Sequence, residues 1–444
     1  MNFASLPVML YILPAFALLT AFSHRHWKQD ALAFGGLCLT YVTGGAPALI
    51  LLVISVCLTW LILRLSPRKT EGHLHRAEIW LYCGIGLQML LLLLARILLG
   101  SQPLLPLLLC SLQGAECLSE HANNRLKIPP LHAFYCYQCD MTRLPGGPVL
   151  SFPQYEQLVA DRSVSKKRIG QGASLCIRGM FQLVCLSLPL QGVHAQIASG
   201  AYVSSALDAV TLTVVFYMTL YYRLKGTAQI GQGIAYLLGY PVPDSFDQPV
   251  LAGSMQEFWS RFLIPMQQWA KRVLLPEDEK YDNAGYFART ALLFGGIGLL
   301  LGSSGCGMIW GVCTALFLTL ERIRRNRKKQ HFAALPLTAR RALTAAAVLL
   351  GMAMMGSRTP FDAFGCYAAL LCINGIKLSD RVAYLLNTNW AAVCIGLAGL
   401  FPFRHVMPKG TVWSERIRKI CQPAAELAML LFAFAELLSR YLRP

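Results

Sequence analysis

The side chains that could act as acids, bases, nucleophiles or metal ligands are few and scattered. His132 precedes Cys136 by four residues, and Cys136 and Cys139 form a C-x-x-C pair. Imidazoles and thiolates bind zinc or support redox chemistry. A second pair of ligands is missing from the neighbouring sequence, so we expect no metal site here. Cys306 offers another thiol, but a nucleophile needs a base within hydrogen-bond distance.

The composition indicates where such side chains must work. The chain has 444 residues, with 40 Lys+Arg and 22 Asp+Glu, giving a formal charge of +18. Hydrophobic residues make up 55% and charged residues 14%, against about 25% charged in an average soluble domain. The mean hydropathy is +0.48. These values exclude a disordered chain, a disulfide-stapled secreted module and an ordinary cytosolic enzyme, and they predict a membrane protein.

Long runs without charge predict an all-α polytopic protein with about ten to twelve membrane-spanning helices and with re-entrant or interfacial helices. The run 3–22 lacks a basic segment before it, so we interpret it as a retained first helix. The run 31–63 is too long for one span, and Gly44 to Pro47 predicts two helices that meet at a tight turn. The other predicted spans are 79–99, 103–117, 173–191, 201–222, 291–320, 342–355, 364–376, 383–400 and 423–438.

Basic residues cluster between the apolar runs, most densely in 322–329. Such loops are typical of the cytoplasmic side of a membrane protein. We therefore interpret the charge as a topology signal and as contact with anionic lipids, and not as nucleic-acid binding. The expected location is the plasma or inner membrane, with many passes and the lipid bilayer as the first partner.

The stretch 240–282 differs from a simple span. Its first part is rich in proline and polar residues, and 253–275 predicts an amphipathic helix. Ser254, with Glu257 three residues later, is a capping box. Phe258 and Phe262 share one apolar face. We expect this helix to lie along the cytoplasmic interface, either as an anchor or as one wall of a substrate chamber.

Glycine is unusually dense in one apolar stretch, with seven glycines in 295–311. Small residues let membrane helices pack closely, which is the simpler interpretation. The alternative is irregular backbone that lines a cavity.

The order of these segments resembles the membrane-bound O-acyltransferases, especially the alginate O-acetylase branch, which modifies cell-envelope polysaccharides. The resemblance covers 128–444, which predicts an acyltransferase-like membrane core, including the interfacial helix 253–275, preceded by N-terminal transmembrane helices in 1–127. The segments that carry it are 145–149 with 152–158, 221–239, 246–269, 302–311 with 318–322, and the C-terminal 437–444.

The resemblance implies a mechanism that this sequence does not match. Active members of the family use a conserved histidine as a general base that activates an acceptor hydroxyl. The family's Trp-His-Gly motif aligns with Leu300-Leu301-Gly302, so Leu301 replaces this base, and Leu263 replaces a second conserved histidine. Two conserved acids align with Arg223 and Gln229. A leucine cannot accept a proton, so a degenerate or non-catalytic relative is expected.

Three functions follow as alternatives. The favoured one is a non-catalytic relative that serves as a partner, docking platform or acyl conduit. The second is an active, diverged O-acyltransferase that uses another base, with His132 as the candidate base and Cys306 as a candidate nucleophile. The third is a transporter or flippase.

The resemblance also implies a set of ligands and partners. The acyl donor is acyl-CoA or an acyl carrier, and no other cofactor is expected to be bound. The implied protein partners are an active acyltransferase or a periplasmic acyl-transfer protein. The residues expected to bind substrate are Glu257, Trp259, Arg261, Trp269 and Trp310.

Overall fold

The computed structural model describes residues 8, 12–23, 27–67, 74–99, 105–144, 147, 149–199, 205–275, 282–302, 305–326, 336–373, 375–401 and 412–442. Across these residues the chain is α-helical and forms no β-strand, only an isolated bridge between Phe246 and Phe262. The predicted all-α class is confirmed. Parts of the segment 145–149 and of the basic run 322–329 lie outside the described residues.

The helices follow one another in this order. The first nine are α1 (Leu13–Phe22), α2 (Lys28–Leu65), α3 (Leu74–Leu99), α4 (Leu105–Ala122), α5 (Leu131–Gln138), α6 (Phe152–Ala160), α7 (Lys166–Phe181), α8 (Leu188–Ala198) and α9 (Ala206–Leu237). The others are α10 (Met255–Arg261), α11 (Ile264–Val273), α12 (Asn283–Leu301), α13 (Cys306–Asn326), α14 (Leu337–Gly356), α15 (Pro360–Leu370), α16 (Asp380–Thr388), α17 (Trp390–Leu400) and α18 (Val412–Leu442).

Within the described residues, six helices are long and apolar enough to cross a membrane, or seven if α16 and α17, bent by 79°, count as one span. The chain is thus a multi-pass membrane protein, but the count of ten to twelve spans is not confirmed. One predicted span, 364–376, is short in the structure, since α15 has 11 residues. Most of the predicted run 3–22 before α1 lies outside the described residues. The six are Lys28–Leu65, Ile79–Leu98, Lys166–Ala198, Cys306–Arg325, Leu337–Gly356 and Cys421–Leu442. The third of them consists of α7 and α8, which a π-helical turn at Gln182–Ser187 joins into one continuous helix.

Helix α2 bends back on itself at Gly45, where φ is 74° and ψ is −174°. Near its two ends, Trp60 donates to the carbonyl of Pro129 over 3.1 Å, and Asp30 contacts His132, three residues farther along that segment. A straight helix would hold these two ends about 45 Å apart. The predicted pair of helices is therefore present, joined by a kink without an intervening loop.

Helices α12 and α13 form an antiparallel hairpin built on glycine. A Cβ at Gly298 would overlap the backbone of Gly307, and a Cβ at Gly311 would overlap the backbone of Phe294. The predicted close packing is present. The prediction of a single span over 291–320 is wrong, because the chain reverses just after α12.

The predicted helix over 253–275 is two helices, α10 and α11. Phe262 ends the first, and Leu263 adopts a left-handed conformation with φ of 55°. Pro265 lies in the first turn of α11, where its missing N–H costs no helical hydrogen bond. The sequence predicts a single helix because the apolar periodicity of α10 continues into α11. The helical backbone nevertheless breaks at Leu263. Its placement at the membrane interface stays a prediction.

Candidate functional site

A cavity of about 370 Å³, the chamber, lies between the α10–α11 pair and the α12–α13 hairpin. Its interior is apolar, and the exposed side chains of Lys271 and Arg325 mark where it opens. The chamber is lined by Gln256, Trp259, Phe262, Leu263, Met266, Gln267, Ala270, Lys271, Leu275, Tyr286, Thr290, Leu293, Phe294, Ile297, Leu318 and Arg325.

A second, small cavity of about 40 Å³, the inner pocket, shares Leu263, Met266 and Ile297 with the chamber. It brings Leu301 and Leu263 together, although they lie on different helical pairs. The full lining is Leu108, Leu109, Leu112, Gly147, Val149, Leu224, Ser245, Leu263, Pro265, Met266, Ile297 and Leu301. Among these residues Ser245 has the only polar side chain, so the described lining offers no general base.

Trp259 is the predicted substrate residue that lines the chamber. Its ring centroid lies 4.8 Å from that of Phe294 and 5.7 Å from that of Trp310, which keeps the indole fixed by edge-to-face packing. Its Nε1 is buried and has no hydrogen-bond acceptor in the described part of the chain. Trp310 is itself buried behind Trp259 and lines neither cavity.

Glu257 and Arg261 form an ion pair of 2.7 Å on α10 and line neither cavity. Ser254 caps the helix by accepting from the N–H of Glu257, as predicted. The carboxylate of Glu257 accepts from the N–H of Gly253 over 2.8 Å, one residue before the position that a capping box uses. These two predicted substrate residues, paired with each other, therefore stabilise the N-terminus of α10.

Trp269 is fully buried and donates from Nε1 to the carbonyl of Leu112 over 2.7 Å. Arg272, three residues later, contacts the fully buried carboxylate of Glu116 at 2.5 Å. Both contacts fasten α11 to α4. Trp269 thus supports the wall that carries Lys271, and it lies outside the lining of the chamber and the inner pocket.

The two candidate catalytic residues, the base His132 and the nucleophile Cys306, line neither cavity. Cys306 is buried at the start of α13. His132 lies in the first turn of α5, with its side chain 65% exposed, and contacts Asp30 at 2.6 Å. Burial and the carboxylate of Asp30 raise the pKa of the Cys136 thiol to about 12, so this neighbour of His132 is a poor nucleophile. The contact with Asp30 was missed in the sequence, where 102 residues separate it from His132.

The remaining family positions lie on α9. Leu224 lines the inner pocket, whereas the neighbouring Arg223 does not. The side-chain oxygen of Gln229 is buried and has no donor within the described residues. Neither replacement supplies the acid that the family motif would carry here.

Curated proteins that are similar to this chain support the resemblance drawn from its motifs. A probable alginate O-acetylase of Pseudomonas syringae pv. tomato is 24% identical over 274 residues, covering 60% of this chain and 51% of the relative. A probable alginate O-acetylase of Pseudomonas putida is 22% identical over 293 residues, covering 63% and 59%. A teichoic acid D-alanyltransferase of Bacillus subtilis is 23% identical over 117 residues, covering 23% and 29%.

The chain is MBOAT-like, that is, similar to the membrane-bound O-acyltransferases. This confirms the resemblance drawn from its motifs. This MBOAT-like chain spans about half the length of the curated alginate O-acetylases that it matches. No family model matches it.

Proposed function

We propose that the chain takes part in acyl transfer to a cell-envelope polysaccharide without supplying the usual base. Its relatives are named for transferring acetyl groups to alginate or D-alanyl groups to teichoic acid. Both acceptors are polymers that present hydroxyl groups, and a hydroxyl is a weak nucleophile until a base removes its proton. The proposal therefore depends on which side chains lie where a base would remove the proton of the acceptor hydroxyl.

The inner pocket is the observation that carries the proposal. Leu301 and Leu263, the two positions that align with the family histidines, line it together. Neither aliphatic side chain can accept a proton, and the hydroxyl of Ser245 is far too weak a base. We infer that the family's ordinary route of acyl transfer is closed to this chain and that its role is degenerate and non-catalytic.

The chamber supports a retained ability to bind the acyl donor. Its apolar interior suits an acyl chain, and Lys271 and Arg325 at the opening suit the phosphates of acyl-CoA or of an acyl carrier. The buried N–H of Trp259 is a donor for a carbonyl oxygen on the ligand. A donor held here would be handed to an active acyltransferase or to a periplasmic acyl-transfer protein, with this chain as docking platform or conduit.

The test is an assay of labelled acetyl transfer to an envelope polysaccharide by the purified full chain in proteoliposomes. We expect no transfer above a protein-free control, and no change with His132→Ala or Cys306→Ala. In cells that carry an intact relative, deletion of this chain should still lower polymer acylation.

Two outcomes would contradict the proposal. Transfer by the wild type that His132→Ala or Cys306→Ala abolishes would establish an active, diverged enzyme. Flux of a substrate across the proteoliposomes without acyl transfer would instead support the transporter. The variant Leu301→His, alone or with Leu263→His, reports whether the missing imidazole is the only missing part.

A further inference from the structure

Three side chains of different chemistry converge where α2 begins. Oδ1 of Asp30 lies 2.6 Å from Nε2 of His132, and Sγ of Cys136 lies 3.6 Å from the same Oδ1 and 3.9 Å from the same Nε2. His132 and Cys136 are four residues apart on α5, so they share one face of that helix. The three ligand atoms surround a single point.

This arrangement differs from a catalytic triad. In a triad the acid and the nucleophile contact opposite ring nitrogens of the histidine, so that a proton passes through the ring. Here Asp30 and Cys136 both face Nε2 of His132. Convergence of an oxygen, a nitrogen and a sulfur on one point is the geometry of ligands around a metal ion.

We propose that Asp30, His132 and Cys136 form a binding site for a divalent transition metal, with Zn²⁺ as the best match. Tetrahedral zinc with bonds of about 2.0–2.3 Å sets neighbouring ligand atoms about 3.3–3.6 Å apart. The two distances from the sulfur are close to this range, and the Asp30–His132 contact must open by about 0.7 Å. A mixed O, N and S set suits zinc or cobalt better than magnesium or calcium.

The surroundings fit a zinc ion with an open coordination position. The side chain of His132 is 65% exposed, which leaves room for a water molecule as the fourth ligand, whereas Cys136 is buried. Cys139, the other thiol of the C-x-x-C pair, belongs to the apolar core and lies outside the cluster. On coordination the thiol releases its proton to solvent and binds as the thiolate.

The position of the cluster also keeps its thiol reduced. Lys28 begins the same helix, and Arg64 lies near its other end, which folds back to the same segment. Basic residues at this end predict that it lies on the cytoplasmic side, where disulfides are rare. The ion would fasten the start of α2 to α5, the helix that leads toward Gly147 and Val149 in the inner pocket.

The experiment measures zinc in the full chain, purified in detergent with Zn²⁺ present and then freed of excess metal by gel filtration. We expect about one zinc ion per chain by elemental analysis. With Co²⁺ in its place, a thiolate-to-cobalt charge-transfer band should appear. Asp30→Asn, His132→Ala and Cys136→Ser should each weaken zinc binding by more than about tenfold.

Cys139→Ala is the matched control, since it removes the neighbouring thiol and should keep both the zinc and the cobalt band. A wild type that binds no zinc above background would overturn the proposal, as would a Cys136→Ser variant that binds zinc like the wild type. Should a variant fail to fold, the wild type alone decides. Zn²⁺ should raise its Tm relative to Mg²⁺ or EDTA, and an unchanged Tm would contradict the site. None of these readouts depends on acyl transfer.

Discussion

The chamber and the inner pocket share three wall residues but differ in size and chemistry. The chamber measures about 370 Å³ and carries Lys271 and Arg325 at its opening. The inner pocket measures about 40 Å³ and is apolar apart from Ser245. The chamber is large enough for a charged, chain-bearing ligand, whereas the inner pocket is too small for one and has no base to accept the proton of an acceptor hydroxyl. In the proposed function, donor binding and proton transfer are therefore separable.

The wall residues shared by the chamber and the inner pocket explain how the inner pocket can change in sequence while the chamber keeps its basic residues. Leu263 faces both spaces because the break between α10 and α11 holds it in a left-handed conformation. Leu301 faces the inner pocket alone. In the proposed function, leucine at the two positions aligned with family histidines removes the base while the basic residues at the chamber opening remain.

The largest expected effect comes from the α12–α13 hairpin, which contributes Ile297 to the wall shared by the chamber and the inner pocket. Gly298→Ala should destabilise the chain by ~3 kcal/mol, because its Cβ would overlap the carbonyl of Gly307 in the α12–α13 hairpin. Gly296→Ala is the matched control. No atom lies within 4 Å of its Cβ position, and it should gain ~0.5–1 kcal/mol from helix propensity. Thermal unfolding in detergent measures both, and equal Tm values would contradict the hairpin packing.

The next effect separates two adjacent basic residues. Arg272→Ala should cost about 2–3 kcal/mol, because it leaves the buried Glu116 carboxylate without its partner. Lys271→Ala, at the chamber opening, should change the free energy of unfolding far less. The double variant Glu116→Gln with Arg272→Ala should recover part of the loss. If Lys271→Ala and Arg272→Ala lowered the free energy of unfolding by similar amounts, the side chain at the chamber opening would contribute as much to stability as the contact with α4.

A smaller effect tests the charge of the chamber. Replacing both Lys271 and Arg325 by glutamate should weaken acyl-CoA binding about tenfold or more, which is ~1.4 kcal/mol, because phosphates would meet two carboxylates. Lys166→Glu with Lys167→Glu, two exposed basic residues on α7, is the matched control. Thermophoresis of the detergent-solubilised chain gives both affinities. Equal weakening by the two pairs would mean that the donor senses only net charge.

The smallest effect lies near the wall's attachment to α4. Burial and the neighbouring carboxylate of Glu116 raise the pKa of Glu120 to about 7. A raised carboxyl pKa favours the protonated form in the folded state, so its contribution to stability is lost as the pH rises through 7. Glu120→Gln should therefore raise the Tm by about 1–2 °C at pH 8 and leave it unchanged at pH 4. A shift that is the same at both pH values would exclude this titration.

Local signals in the sequence predicted much of the fold. The helical class follows from apolar runs, the bend of α2 from Gly45 and Pro47, and the start of α10 from Ser254. Each of these features depends on residues that lie near one another in the chain, which is why a pattern could predict it.

Features that depend on distant partners escaped prediction. The chain reverses after α12, and the segments on the two sides of the reversal have the same apolar composition. Hydropathy alone therefore predicts one span. The contact of Asp30 with His132 joins helices far apart in sequence. The resemblance aligned Leu301 and Leu263 with two different family histidines, but only three-dimensional packing shows that both line the inner pocket and that Leu263 also lines the chamber.

One measurement tests the central claim most directly. A single preparation of the full chain in proteoliposomes is titrated with labelled acetyl-CoA and then given an envelope polysaccharide. The account predicts saturable binding of the donor, weakened by charge reversal at Lys271 and Arg325, with no acetyl transferred above the protein-free control. Repeated turnover by the wild-type chain, with Leu301 and Leu263 in place, would contradict it.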